Sequence, residues 1–342
     1  MTQLHKTLNI DTSPHVHGTV KTDDIMRNVV WALLPVCAFS VYAFGLDALL
    51  TIVVATITCL LTEHLMSRSD RQVSSIGDWS VTITGLLYAL TLPPGLPLWM
   101  VVCGGVIAVA LGKMLFGGLG NNAFNPALVG RAFLQAAFPS AMTSWTPALN
   151  PDRFSTLSQS LLTAPFQSPV YESVSDGVTS ATPLALMKFD QQLTELGDLF
   201  VGYTAGSYGE TSTIAILLGG SWLVARNMMN WRIPASIFAV VILFSLVFNS
   251  FDPVVYPGPL FALFSGGLML GAVFMATDMV ASPMTTKGVL LYGGLIGALV
   301  MIIRYWGGAP EGVMYAILLA NAASVHIDAV TQPKVFGGHG HE

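Results

Sequence analysis

The chain has 342 residues, of which 53% are hydrophobic and only 10% are Asp, Glu, Lys or Arg, with a formal net charge of −5. Soluble domains carry about 25% charged residues, so most of this chain meets an apolar solvent and an ordinary soluble domain is excluded. The small negative charge says little about partners, and no basic, aromatic-interleaved patch suggests nucleic acid.

Residues 1–24 are polar and contain neither a short apolar core nor a cleavage site, so they read as a cytoplasmic segment and not as a signal peptide. Ten apolar spans follow, at roughly 28–45, 48–66, 80–93, 98–116, 121–138, 208–226, 232–249, 258–277, 288–303 and 311–326. About 20 residues at 1.5 Å per residue cross a bilayer core. The fold class expected is therefore all-α and integral to a membrane. Cys37, Cys59 and Cys103 all fall in apolar runs. Three thiols fall short of the four an iron–sulfur cluster normally takes, and a zinc site is no better supported. They read as buried small hydrophobes.

The third and fifth spans are short. Pro93, Pro94 and Pro97 break the third, while Gly117-Gly118-Leu119-Gly120 and Asn125-Pro126 interrupt the entry to the fifth. Interrupted spans of this kind point to broken helices near a buried site. Asn121, Asn122 and Asn125 read first as caps that orient a half-helix, with a second flavin or an ion as the alternative ligand. Ionisable residues at membrane depth are often functional. Glu63 (beside His64), Asp78, Glu210 and Asp278 are the candidates for an ion path, although all four lie near span ends where water can reach them.

Residues 139–207 differ from the rest. They are rich in Ser, Thr, Pro and Gln and carry six acids: Asp152, Glu172, Asp176, Asp190, Glu195 and Asp198. Loops of this length are functional or disordered. Here Asp176-Gly177-Val178-Thr179-Ser180-Ala181-Thr182-Pro183 reads Asp-x-x-Thr-Ser-Ala-Thr, which resembles the signature at which a flavin transferase esterifies FMN onto a threonine. The attachment point would be Thr182. A threonine hydroxyl is a weak nucleophile until activated, which the transferase would supply with FAD as donor. The acceptor must offer an exposed, flexible segment. Thr179, Ser180 and Ala181 complete the motif; the small Ser180 and Ala181 permit close approach, and Asp176 could contact the transferase.

Two further patterns organise the chain. With the N-terminus inside, ten of the fourteen basic residues are cytoplasmic, only Arg153, Lys188 and Arg304 lie outside, and Arg131 is within a span. Positive charge collects inside, so both termini are expected in the cytoplasm and the 139–207 loop in the periplasm. An internal repeat also aligns Gly104-Gly105-Val106-Ile107 with Gly293-Gly294-Leu295-Ile296, and Lys113 with Arg304 after one inserted residue. Thr84-Gly85-Leu86-Leu87 likewise resembles Gly266-Gly267-Leu268-Met269. A shift of five spans inverts topology, giving two inverted five-helix repeats at 25–138 and 208–327. The tail, 328–342, contains His339 and His341. A disordered tail is a simpler reading of it than a weak metal site.

The motif, the ten spans and three more segments carry a wider resemblance. The segments are Gly118-Leu119-Gly120-Asn121-Asn122-Ala123-Phe124-Asn125-Pro126-Ala127, Gly209-Glu210-Thr211-Ser212 and Phe274-Met275-Ala276-Thr277-Asp278. From about residue 20 to 330 the chain resembles the family of the Rnf complex D subunit, which includes the B subunit of the sodium-pumping NADH:quinone reductase. Ser180, where the reductase branch usually has Gly, favours the Rnf branch. The resemblance implies an electron-carrying subunit of a bacterial inner-membrane complex that couples NADH–ferredoxin exchange to Na+ or H+ translocation. It implies FMN held covalently by Thr182 and admits a second, non-covalent flavin such as riboflavin. It implies partners among the other Rnf subunits (A, B, C, E and G), the FMN-bearing G subunit above all, with the NADH and ferredoxin sites elsewhere. No Gly-rich dinucleotide motif occurs here. The competing class is an inverted-repeat channel for a small neutral solute. Asn125-Pro126-Ala127 suits it superficially, but no second such triplet is present.

Overall fold

The computed structural model describes residues 21–69, 75–167, 181–210 and 212–332, which form helices, turns and irregular segments with no strand. Each of the ten apolar segments carries helix: α1 (Thr22–Phe44), α2 (Leu46–Ser69), α3 (Ser80–Leu90), α4 (Leu98–Gly112), α5 (Pro126–Ala137), α6 (Thr213–Ala225), α7 (Arg232–Phe251), α8 (Pro259–Phe264), α9 (Thr286–Trp306) and α10 (Val313–Thr331). Six of these, among the described residues, are long and apolar enough to cross a membrane: α1, α2, α4, α7, α9 and α10. The expected tail, 328–342, begins as helix, since α10 runs on to Thr331, and its residues from 333 onward, with His339 and His341, lie outside the described residues.

Local chemistry sets the helix starts. Asn125 accepts hydrogen bonds from the amides of Ala127 (3.1 Å) and Leu128 (3.4 Å), with Pro126 in the first turn. This satisfies two of the orphan donors of α5, as the capping reading expects of Asn125, whereas Asn121 and Asn122 donate to the carbonyls of Gly117 and Phe124 and cap no helix. Ser212 caps α6 through the Ala215 amide, and Thr285 caps α9 through the Gly288 amide.

Packing repeats across the chain. Helix α2 packs on α3 and α4, and α4 on α5; α7 packs on α8 and α9, and α9 on α10; α1 meets α6, and α5 meets α10. One buried core draws residues from all of them, including Leu33, Tyr88, Leu128, Ile216, Ile237, Ala262, Tyr292 and Ile317. Outward faces stay apolar, as in the stripe Leu49, Val53, Ile57, Leu61 and Leu65 along α2. An exposed stripe at this spacing would aggregate in water and suits lipid.

The structure corrects the reading of the cysteines. Cys37 and Cys59 are buried, but Cys103 is exposed, sharing the outward face of α4 with Val102 and Val106. That face asks for a hydrophobe, and burial in the protein is not needed to supply one.

Two interruptions shape the interior. After α3 the chain runs non-helically through Thr91–Leu96, all buried. Its Leu90 and Leu92 carbonyls accept from the amides of Gly209 (2.7 Å) and Tyr208 (3.2 Å), just before α6. Buried backbone groups freed from helix must find partners, and these two breaks serve each other. Second, the span expected to run unbroken over 258–277 is split: α8 stops at Phe264, Gly266 takes φ +65, and helix resumes at Leu268 and widens to a π-helical turn at Gly271–Met275.

The link between α1 and α2 is Gly45, with φ +69. A Cβ there would fall on the Arg153 carbonyl, which accepts the Leu46 amide at 3.0 Å. Gly45→Ala is expected to cost about 1–3 kcal/mol from strained backbone, read as a lower thermal unfolding midpoint. An unchanged midpoint would show that the joint yields freely.

Candidate functional site

Polar side chains gather in two clusters, joined by α5. The first surrounds the start of α3. The Lys113 ammonium, at the end of α4, donates to both Glu63 oxygens (3.1 and 3.0 Å) and to Ser80 Oγ (2.7 Å). Ser80 Oγ donates in turn to Asp78 Oδ1 (2.6 Å), which also accepts the Ser80 amide (2.9 Å). Glu63 is 0% exposed and Lys113 2%, so water at the span end does not reach this pair. Two ions in a dry interior need each other.

A cleft opens beside this chain of contacts, lined by Ser80, Lys113, Asn122, Asn125 and Asp278 and by apolar side chains such as Met26, Met228 and Phe274. Asp278 accepts the Val280 amide (3.1 Å) and the Asn122 side-chain amide (3.4 Å). Asn125 donates to the Met275 carbonyl (3.3 Å). The asparagine segment and the Phe274–Asp278 segment, far apart in sequence, therefore build one wall.

The second cluster surrounds Thr182. Arg131 lies on α5, six residues beyond Asn125 and so about 9 Å along the helix axis. Its guanidinium sits 3.7 Å from Glu210 Oε1, and Glu210 Oε2 accepts the Ser207 amide (3.3 Å). Arg304 sits 3.7 Å from Glu311 Oε1 and donates to the carbonyls of Ala262 (2.6 Å) and Ser265 (2.9 Å) at the α8 break. Glu311 Oε2 accepts the Gly267 amide (3.0 Å). A Cβ on Gly266 would strike Glu311, and one on Gly267 would come within 3.0 Å of Glu210. The glycine pair is thus what lets both carboxylates close on the break.

Arg131, Thr182, Glu210, Gly266 and Glu311 line one small cleft, together with Trp145 and Thr204. Thr182 Oγ1 accepts the Ala185 amide at 3.3 Å. Sequence reasoning expects an exposed acceptor, but Thr182 is 9% exposed. Pro183 starts the next turn, and Leu184 packs with Met187, Leu199, Phe261 and Phe264. Lys188 ties the same segment to the end of α9 through the carbonyls of Arg304 (2.9 Å), Gly307 (2.5 Å) and Ala309 (3.1 Å), and its partial burial lowers its pKa. Asp176, Thr179 and Ser180 lie outside the described residues; Ala181 is half-buried beside Thr182.

The four expected carboxylates therefore divide. Glu63, Asp78 and Asp278 belong to the first cluster and Glu210 to the second. Sequence reasoning passes over Lys113, Ser80, Arg131, Arg304 and Glu311 as site members. The signal available is that a charge inside an apolar run needs a partner nearby. Among the described residues no three His, Cys, Asp or Glu side chains group as a metal site.

Comparison with known proteins gives a consistent result. The model of the NQR2, RnfD, RnfE family matches residues 9–337. The chain is 39% identical over 334 residues to the D subunit of the Na(+)-translocating ferredoxin:NAD(+) oxidoreductase complex of Acetobacterium woodii, covering 96% of this chain and 95% of that one. It is 39% identical over 346 residues to the D subunit of the proton-translocating ferredoxin:NAD(+) oxidoreductase complex of Clostridium ljungdahlii, covering 98% of each. It is 38% identical over 330 residues to the D subunit of the ion-translocating oxidoreductase complex of Stutzerimonas stutzeri, covering 92% of each.

Proposed function

The chain belongs to the NQR2, RnfD, RnfE family, and from that premise we propose that it is the membrane D subunit of an ion-translocating ferredoxin:NAD oxidoreductase complex, passing electrons through FMN esterified to Thr182. The observation that carries this reading is the Asp176-to-Thr182 motif ending on a hydroxyl that lines the Arg131–Glu210–Glu311 cleft. The residues suit the group. The buried Arg131 Nε has no hydrogen-bond partner among the described residues, so a guanidinium is available to a phosphodiester. Trp145 gives the same cleft an aromatic wall. Bound there, FMN would supply one- and two-electron transfer. Arg131 would hold its phosphate, and the packed Pro183–Met187 segment would fix where the tether leaves the protein. Because Thr182 is buried, the transferase would meet this segment before it packs.

A second, non-covalent flavin such as riboflavin would take the first cleft, where Asn122 and Asn125 offer polar edges between apolar walls. Glu63, Asp78, Asp278 and Glu210 would serve the ion path. Electron exchange would run to the FMN-bearing G subunit, with the A, B, C and E subunits completing the complex. Relatives of equal identity are named for sodium and for protons, so overall similarity does not select the coupling ion.

Two inverted five-helix repeats would organise the membrane domain. The packing of α2 on α3 and α4 and of α4 on α5, repeated by α7 on α8 and α9 and by α9 on α10, supports this. So does the matched pair Lys113 and Arg304: each ends its helix and reaches into the next shorter one, Lys113 to Ser80 of α3 and Arg304 to Ala262 of α8.

Two measurements test the reading. The denatured chain, made with the transferase, should fluoresce as a flavoprotein in a gel; a dark band would remove the covalent flavin. A reporter active only outside the cytoplasm should be active near Ser168 and silent at Glu342. The reverse pattern would put the flavin loop on the cytoplasmic side.

A further inference from the structure

Flavin attachment leaves the Lys113–Glu63 pair unexplained. Its ammonium touches three oxygens at 2.7–3.1 Å, two from Glu63 and one from Ser80. A carboxylate and a hydroxyl around one positive charge form the oxygen donor set that hard cations take. The symmetric partner behaves differently. Arg304 is pinned by two backbone carbonyls besides its carboxylate, and a guanidinium is a rigid, permanent charge. A lysine ammonium is a compact charge on a flexible stem.

The surroundings allow Lys113 to leave. Gly117, Gly118 and Gly120 follow it with φ of +103, +91 and +90, a backbone region that glycine enters without steric cost. That loop leads to Asn122, whose amide donates to Asp278. Lys113 and Asp278 line the same cleft, so an ammonium released from Glu63 has a second carboxylate to approach without leaving the protein.

We propose that Lys113 is an internal competitor for a monovalent cation: the cation takes the oxygens of Glu63 and Ser80, and the displaced ammonium moves into the cleft toward Asp278. This rests on the reading that the chain carries part of the ion path, and the two can fail separately. Ion entry at Glu63 would then require no uncompensated charge at any stage, because one cation replaces another.

The test is thermal unfolding of the intact complex in sodium chloride and in choline chloride at equal ionic strength. The wild-type midpoint should differ little between the two salts, since the ammonium fills the site. Lys113→Met takes the ammonium away from the two Glu63 oxygens, and sodium should raise its midpoint by several degrees over choline. Lys113→Gln keeps a hydrogen-bonding side chain toward Ser80, and should show the same sodium response if the methionine variant fails to assemble. Adding Glu63→Gln to either variant should abolish the response. A sodium response absent from the single variants, or persisting without the Glu63 carboxylate, overturns the proposal. Ion uptake per electron in proteoliposomes decides the underlying reading: if Glu63→Gln leaves that ratio at the wild-type value while the sodium response stands, the cation site is real and lies off the path.

Discussion

Replacing Thr182 by valine is expected to remove all flavin that survives denaturation, while Thr182→Ser keeps much of it. Valine matches threonine in shape but has no hydroxyl to esterify, so the peptide holding residue 182 should lack the mass of FMN less one water. Structural loss should be modest. The hydroxyl caps one amide, that of Ala185, at 3.3 Å, and losing such a cap costs about 1 kcal/mol. A folded, assembled complex with no flavin on this chain and no electron transfer through it is therefore the expected outcome. An adduct that persists on Thr179 in the valine variant would move the attachment point, and a wild-type chain with no adduct on either threonine would end the esterification reading. Arg131→Met separates attachment from docking. Arg131 shares the cleft but contributes nothing to the acceptor hydroxyl, so the adduct should remain while the flavin's midpoint potential shifts.

How much of this can be read from residues alone follows from where the physics is local. The ten apolar segments stand out because a bilayer demands about 20 apolar residues, and Asn125-Pro126, Ser212 and Thr285 mark helix starts by capping chemistry that acts within three residues. The split after Phe264 is not local. Residues 258–277 read as one apolar run, and what interrupts them is the pair of carboxylates, Glu210 and Glu311, drawn against Gly266 and Gly267 from distant parts of the chain. The glycine pair is visible in the sequence, but its purpose is not.

The site shows the same division. Glu63, Glu210 and Asp278 are conspicuous as charges beside apolar runs. Their partners require the fold: Lys113 is 50 residues from Glu63 and Asn122 is 156 from Asp278. Glu311 escapes notice because an acid as the first residue of an expected span, 311–326, is adequately explained by the helix dipole, although it in fact turns back to the Gly267 amide. Thr182 is legible as a motif residue and its burial is not, since that comes from Leu184 packing against Phe261 and Leu199.

Neutralising the carboxylates should lower ion transport more than electron transfer, and the two clusters give different controls. Asp278→Asn keeps an oxygen for the Val280 amide (3.1 Å) and removes the charge together with one long hydrogen bond, the 3.4 Å contact from the Asn122 amide. Assembly and flavin content should therefore stay near wild type while ions moved per electron fall. Glu210→Gln is harsher, because Arg131 loses the carboxylate that stands 3.7 Å from it inside the protein. Breaking a buried pair from one side costs about 3–5 kcal/mol, so this variant should lose stability as well as coupling. The double variant Glu210→Gln with Arg131→Met removes both charges and should recover most of the stability, since a neutral pair of similar volume replaces the ions. If coupling returns with stability, Glu210 acts by holding the cleft together. If stability returns and coupling does not, while Arg131→Met alone keeps the ratio of ions to electrons, the Glu210 carboxylate itself lies on the path. Glu63→Gln and Asp78→Asn complete the set in the first cluster. Should all four single variants preserve the ratio of ions to electrons, these carboxylates are structural, and the coupling ion crosses the complex through another subunit.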